Sequence, residues 1–140
     1  MKQFRDSDYW VTEDGRVFRH YPEYKHTYVT NHYGANGIVK KRQMTQKRPE
    51  KWKEMIYRDN EFGYLQCALS INNKELRRRV HQMVAELYTP GYFDGAEVDH
   101  IDCNKHNNHY TNLQWCTPEY NRKKGNNPDY PLFTSEILDS

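Results

Sequence analysis

The spacing of the apolar positions changes once, at residue 80. Between residues 64 and 71 the pattern alternates. Leu65, Cys67, Leu69 and Ile71 fall on one side, and Tyr64, Gln66, Ala68 and Ser70 on the other, the two-residue repeat of a half-buried strand. Asn72-Asn73 is a turn signal, and Lys74 to Arg79 is expected to return as the partner strand. From there Val80, Met83, Val84, Leu87 and Tyr88 recur at i, i+3, i+4, i+7 and i+8, a single helical face that Pro90-Gly91 ends. Upstream, Tyr9-Trp10-Val11-Thr12 and Arg16-Val17-Phe18-Arg19 flank Glu13-Asp14-Gly15, which predicts a β-hairpin. Residues 20–37 hold Pro22, Gly34 and Gly37 and are expected to be irregular. Downstream, Thr117 is a good N-cap and Pro118 a good first helical residue. They open a helix of about two turns that Gly125 and Pro128 stop. The last dozen residues read as a tail or a strap over the surface.

Charge alters this picture more than composition does. The chain has 140 residues, a hydrophobic share of 36% and a mean hydropathy of −1.18, so its core must be modest. The 12 Tyr, 5 Phe and 3 Trp supply much of it. The net charge is +2, but residues 129–140 contain Asp129, Glu136 and Asp139 and no cation, which leaves +5 on residues 1–128. Residues 38–53 concentrate Lys40, Lys41, Arg42, Lys47, Arg48, Lys51 and Lys53 against Glu50 alone. So many cations cannot be buried, and the segment must face solvent or an anion such as a phosphate backbone. Arg77-Arg78-Arg79 is a second basic cluster, but on a strand its members alternate and cannot all reach one ligand. No apolar run approaches the roughly 18 residues of a membrane span, and the N-terminus carries no apolar signal region. Cys67, Cys103 and Cys116 form no Cys-x-x-Cys pair and read as free thiols. A soluble, cytoplasmic protein is expected.

The candidate chemistry lies between Val98 and Asn121. Asp99 and Asn121 offer a carboxylate and an amide oxygen, donors that suit a hard divalent cation. His100 is expected to point away from Asp99, and a neutral imidazole is a suitable general base near neutral pH. Asn112 can bond to backbone across the intervening loop and fix the His100 carbonyl or ring. This set fits phosphodiester hydrolysis, which needs an activated water, charge neutralisation on phosphate and a stabilised leaving oxygen. Competing readings are weaker. Asp102, Asn104, Asn107 and Asn108 lack the glycine and the glutamate of a calcium loop. Cys103, His106, His109 and Cys116 have zinc-ligand chemistry but no common zinc spacing. His81 lies beside the apolar stripe and is expected to be a packed, hydrogen-bonded structural histidine.

The stretch resembles the phage intron-encoded homing endonucleases of the His-Asn-His (HNH) group, in the ββα-metal nuclease superfamily. The resemblance rests on Val98-Asp99-His100-Ile101-Asp102, Asn104-Lys105, Asn107-Asn108, Thr111-Asn112-Leu113, Trp115, Thr117 and Asn121. Upstream, Arg79-Val80-His81-Gln82-Met83-Val84-Ala85 looks like that family's helix before the motif, and Tyr9 to Val17 like its N-terminal module. The resemblance implies an α+β fold, with a ββα-metal (HNH) nuclease core and an N-terminal β-hairpin or sheet extension. It implies His100 as general base, Asn112 as the brace of the loop, and Asp99 and Asn121 as ligands of one Mg²⁺ or Mn²⁺ ion. It also implies cleavage of double-stranded DNA to a 5′-phosphate and a 3′-hydroxyl, in a bacterial or phage-infected host cell. Lys40, Lys41, Arg42, Lys47, Arg48, Arg77, Arg79, Arg122 and Lys123 are the expected DNA contacts.

The corresponding division is a β-rich DNA-binding region with its basic arm at 1–60, a nuclease core at 61–126 and an acidic tail at 127–140. Some relatives carry a C-terminal helix-turn-helix module, and here only about 15 residues follow Gly125. Specificity is then expected from the N-terminal part or a partner subunit, or is weak. Cys103 stands where a glycine is common, and residues 31–60 look longer than in relatives. A homodimer would let one centre per subunit cut both strands. The alternatives are a DNA-binding module with a silent centre and a structural zinc module.

Overall fold

A computed structural model describes residues 1–134. In chain order the elements are β1 (Lys2–Gln3), β2 (Tyr9–Val11), β3 (Val17–Tyr21), β4 (Tyr24–Tyr33), β5 (Val39–Arg48), β6 (Lys51–Glu54), β7 (Arg58–Asp59), β8 (Leu65–Ile71) and β9 (Lys74–Arg79). They continue with α1 (Val80–Tyr88), β10 (Glu97–His100), a 3₁₀ turn at Tyr110–Asn112, β11 (Leu113–Cys116) and α2 (Pro118–Lys124). Two compact units emerge: Met1–Arg19 with the chain from Glu54 onward, and His20–Lys53.

The larger unit is built around α1. That helix buries Val80, His81, Met83, Val84 and Ala85. They pack with Phe4, Tyr9, Val11 and Val17 of the N-terminal strands, Cys67 and Leu69 of β8, and Leu113 of β11. Asn72 and Asn73 both take positive φ, 52° and 61°, and turn β8 into β9 in the register Ile71↔Lys74. The strand β10 runs antiparallel to β11, with Asp99 opposite Gln114 and His100 opposite Leu113. Thr117 accepts the Tyr120 amide as the N-cap of α2, with Pro118 in its first turn. The result is a strand-loop-strand-helix unit resting on α1.

The expected boundary at residue 60 is not where the chain divides. Residues 1–19 supply four side chains of the central core, so they belong with the later elements rather than with the basic segment. The expectation of irregular chain at 20–37 also fails. Residues 24–33 form the ten-residue strand β4, paired along its whole length with β5 from Tyr24↔Arg48 to Tyr33↔Val39. Pro22 and Gly34 bound this strand rather than interrupt it, and Gly34 and Gly37 close its turn. The basic segment is therefore mostly one strand of an exposed two-stranded ribbon.

The expected strap is present as far as residue 134, while residues 135–140, including Glu136 and Asp139, lie outside the described residues. Pro131 accepts the Tyr120 hydroxyl, and the Phe133 amide donates to Gln114 Oε1 at 3.1 Å.

Truncation in the two units should separate them. Leu69→Ala, at a fully buried core position, is expected to cost about 2–5 kcal/mol of unfolding free energy by urea denaturation. Val29→Ala, on the ribbon at 63% exposure, should stay within about 0.5 kcal/mol.

Candidate active site

The end of β10 carries Asp99 and His100, both nearly buried at 7% and 4% exposure. With Asn121, Tyr64, Cys103 and Lys105 they line a cleft of about 60 Å³. Three of the four residues expected at the centre thus meet at one opening.

Asn121 sits on the first turn of α2 and spends its Nδ2 on Glu97 Oε2 at 3.1 Å. Its amide oxygen is thereby turned the other way. Asp99 takes two donors on the same oxygen: Gln114 Nε2 at 2.9 Å and Lys124 Nζ at 2.8 Å, both to Oδ2. A carboxylate and an amide oxygen beside a shared cleft are donors of the kind a hard divalent ion prefers. Among the described residues no three of His, Cys, Asp or Glu converge as a metal cage. The zinc reading is overturned on the same ground. His106 is engaged by Asp59 at 2.7 Å, His109 by Thr111 at 2.8 Å, and Cys116 is buried.

Asn112 stands behind the cleft rather than in its wall. Its Nδ2 donates to Asp102 Oδ1 at 2.8 Å and to the Asn107 carbonyl at 2.9 Å, and its Oδ1 accepts the Asp102 amide at 3.2 Å. The loop is therefore braced, but the expected bond from the Asn112 side chain to the His100 carbonyl or ring is not made. Asp102 is the hub of this loop. Burial opposes its ionisation, yet donors from Asn107, Asn104 and Asn112 outweigh that and hold its carboxyl below the ordinary value.

Two residues missed in the sequence do the work assigned to Asn112. Asn108, itself buried, places Oδ1 2.8 Å from His100 Nε2. Lys124, also buried, donates to the His100 carbonyl at 2.7 Å. The only signal for Lys124 was its spacing. It lies four residues after Tyr120, which puts both on the buried face of α2. For Asn108 an Asn-rich loop gave no means of choosing among neighbours.

The His100 ring packs against Tyr64 and His81, with centroids at 5.9 and 4.8 Å, and those two rings also touch each other at 4.9 Å. Burial pushes its pKa below the ordinary value, against the opposing pull of Asn108, Asp99 and Asp102. Burial also pushes His81 down to about 3, helped by the positive charges of His100 and Arg79. His81 is packed as expected, but its Nδ1 has no hydrogen-bond partner. The neighbour in the middle of this cluster is thus a neutral ring. For Lys124 burial alone would lower the pKa, and the Asp99 carboxylate reverses that and raises it.

The expected nucleic-acid contacts fall in three places. Lys40, Lys41, Arg42, Lys47 and Arg48 are exposed on β5, with Lys40, Arg42 and Arg48 on one face and Lys41 and Lys47 on the other. Arg77 and Arg79 share one face of β9, with Arg79 lying over the Tyr64 ring at 5.5 Å. Arg122 and Lys123 are exposed on the last turn of α2, where Lys123 pairs with Glu119 at 3.1 Å.

Residues 78–123 match the family model described as HNH endonuclease. Over this segment the chain is similar to HNH endonucleases. Over 117 residues the chain is 33% identical to an uncharacterised HNH endonuclease of Acanthamoeba polyphaga mimivirus, covering 83% of this chain and 26% of that protein. Over 59 residues it is 42% identical to DNA endonuclease I-HmuI of Bacillus phage SP01, covering 42% of this chain and 34% of that protein. The chain spans about a quarter to a third of the length of these curated relatives. A solved structure of DNA binding and cleavage by the HNH homing endonuclease I-HmuI matches with a TM-score of 0.60 at 24% identity, over 99% of this chain and 63% of that one. This likeness shows a shared fold, α+β in class. Among the described residues no helix is long and apolar enough to cross a membrane.

Among the cations around this cleft, Lys124 should be the most costly to remove. Lys124→Ala leaves Asp99 buried without its counter-charge and is expected to lose about 3–5 kcal/mol in urea denaturation. Lys123→Ala, one residue earlier in an exposed pair, should lose less than about 1 kcal/mol.

Proposed function

We propose that this chain is a divalent-metal-dependent DNA endonuclease of the homing type, with His100 as general base. The observation that carries the reading is the meeting of Asp99, His100 and Asn121 at one cleft in an HNH fold. Asp99 and Asn121 would hold a single Mg²⁺ or Mn²⁺ ion, the coordination that their oxygen donors suit. That ion would neutralise charge on the scissile phosphate and stabilise the leaving oxygen. His100 accepts a proton from the attacking water, a role its packed ring can fill because burial keeps it neutral at physiological pH. Attack in line with the 3′ oxygen as leaving group would leave a 5′-phosphate and a 3′-hydroxyl. Asn112 keeps the loop between His100 and β11 in place through Asp102 and Asn107.

Double-stranded DNA is the proposed partner. A two-stranded ribbon is narrow enough to enter a major groove, and β4–β5 is such a ribbon, with five of the expected cations on one strand. Arg77, Arg79, Arg122 and Lys123 would add phosphate contacts around the centre. A monomer with one centre would nick, and a homodimer could cut both strands. The proposed setting is the cytoplasm of a bacterial or phage-infected cell.

Purified protein is expected to nick or linearise supercoiled plasmid with Mg²⁺ or Mn²⁺ and to stop when the metal is chelated. His100→Ala should slow cleavage by about 10²- to 10⁴-fold, and a variant cutting like the native chain would remove His100 from the mechanism. Because burial lowers the His100 pKa, the neutral base persists into mild acid. The acid limb of kcat/KM should therefore lie below the ordinary histidine value near 6.5, and a limb above it would contradict this environment.

The ribbon is tested by salt. Each lost phosphate contact among Lys40, Lys41 and Arg42 should flatten the log–log salt dependence of DNA binding by about 0.9. An unchanged slope in the triple alanine variant would take these residues out of the interface.

A further inference from the structure

The turn of the N-terminal hairpin touches the residue that holds His100. Gly15 lies at that turn with φ +90°, and a Cβ built on it would fall 2.9 Å from Asn108 Cβ and 3.1 Å from Val80 Cγ1. Such approaches leave no room for a side chain, so glycine is required for contact as well as for its backbone angle. Two residues earlier, the Glu13 carbonyl accepts the Tyr110 amide at 2.9 Å. Turn residues 13 and 15 thus press on residues 110 and 108. Thr12 stiffens the turn from within, bonding the Asp14 carboxylate and accepting the Arg16 amide at 2.8 Å.

Boxed in this way, Asn108 is buried and keeps Oδ1 2.8 Å from His100 Nε2. An amide oxygen only accepts, so the proton of the neutral imidazole must sit on Nε2 and the lone pair on Nδ1. Tyr64 and His81, in contact with each other, pack against one side of the same ring.

We propose that Asn108 is a positioning residue for His100, and that the Gly15 turn holds Asn108 in place, so that the ring keeps its Nε2–H tautomer and presents Nδ1 to the attacking water. The catalytic consequence rests on His100 being the base, while the tautomer does not. The N-terminal hairpin is then part of the centre's support. An amide suits this task because it selects a tautomer without bringing a second negative charge beside Asp99.

Full-length protein labelled with ¹⁵N-histidine tests this by long-range ¹H–¹⁵N correlation in neutral buffer, with His100→Gln to assign the ring. The native chain is expected to show His100 as the Nε2–H tautomer. A native Nδ1–H tautomer would overturn the proposal without any variant having to fold. Asn108→Leu removes the acceptor and should give mixed tautomers, with kcat for plasmid nicking reduced about tenfold or more at unchanged KM. Asn108→Asp keeps an acceptor oxygen and should retain Nε2–H in the neutral ring, while its added negative charge moves the acid limb of kcat to higher pH. Gly15→Ala should mimic Asn108→Leu in part. Gly37→Ala, at φ +71° with nothing within 4 Å of its Cβ, should leave the His100 signals unchanged. A single unshifted tautomer in Asn108→Leu would also sink the proposal. Tautomers that shift as expected with full activity would support Asn108's hold on the ring and overturn His100 as the base instead.

Discussion

An ammonium and a carboxylate meet in the interior of the larger unit, and the geometry of the cleft depends on them. Lys124 and Asp99 pair at 2.8 Å, with side chains only 1% and 8% exposed. Removing two charges from water is costly, and mutual attraction offsets that only with good geometry and further hydrogen bonds. Those bonds are present: Lys124 also donates to the His100 carbonyl, and Asp99 also accepts from Gln114. The pair therefore fixes the end of α2 to the end of β10. Asn121, one turn before Lys124, and His100, one residue after Asp99, are carried with it. Both donors to Asp99, Lys124 and Gln114, fall on Oδ2. The carboxylate is oriented by protein from one side, so that an ion could approach the other oxygen.

The role proposed for His100, a base that must stay neutral, needs surroundings that disfavour its charged form without leaving it unpartnered. His100 has both. Burial lowers its pKa, while Asn108 gives its ring nitrogen an acceptor without adding charge. Its neighbour His81 is held neutral more strongly still, and an unsatisfied Nδ1 in such a place costs stability. Tyr64 and His100 line the cleft, and His81 packs behind both of them.

How much of this was legible follows from where the physics is local. The helix at 80–88 and the β8–β9 hairpin are written in periodicity, because each buries one face. The start of α2 is written in its capping residues. Asp99, His100 and Asn121 were legible as a set through their donor chemistry and motif. Asn108 and Lys124 were not, because each acts through a contact across 8 or 24 residues that no local rule anticipates. Asn112 braces the loop, but the contact to the His100 ring is made by Asn108, and the two asparagines differ only in what packs around them. Asn112 faces Asp102, whereas Asn108 is pressed by Gly15.

The ribbon was missed for the opposite reason. Strand recognition depends on one buried face, and β4 and β5 have none: nearly every residue of both is exposed. Tyr24, His26 and Tyr28 stack along one face at 6.1 and 5.9 Å, with Arg48 over Tyr24 at 4.7 Å. Such side-to-side contacts hold a ribbon's shape but bury little apolar surface, and an isolated two-stranded hairpin is marginal in water. Ten paired residues on each strand are thus hard to account for by folding energy alone. Their composition, aromatic and cationic together, matches what nucleic-acid surfaces recognise. A long unpacked ribbon of this chemistry is better explained by the proposed contact with DNA than by what it stabilises.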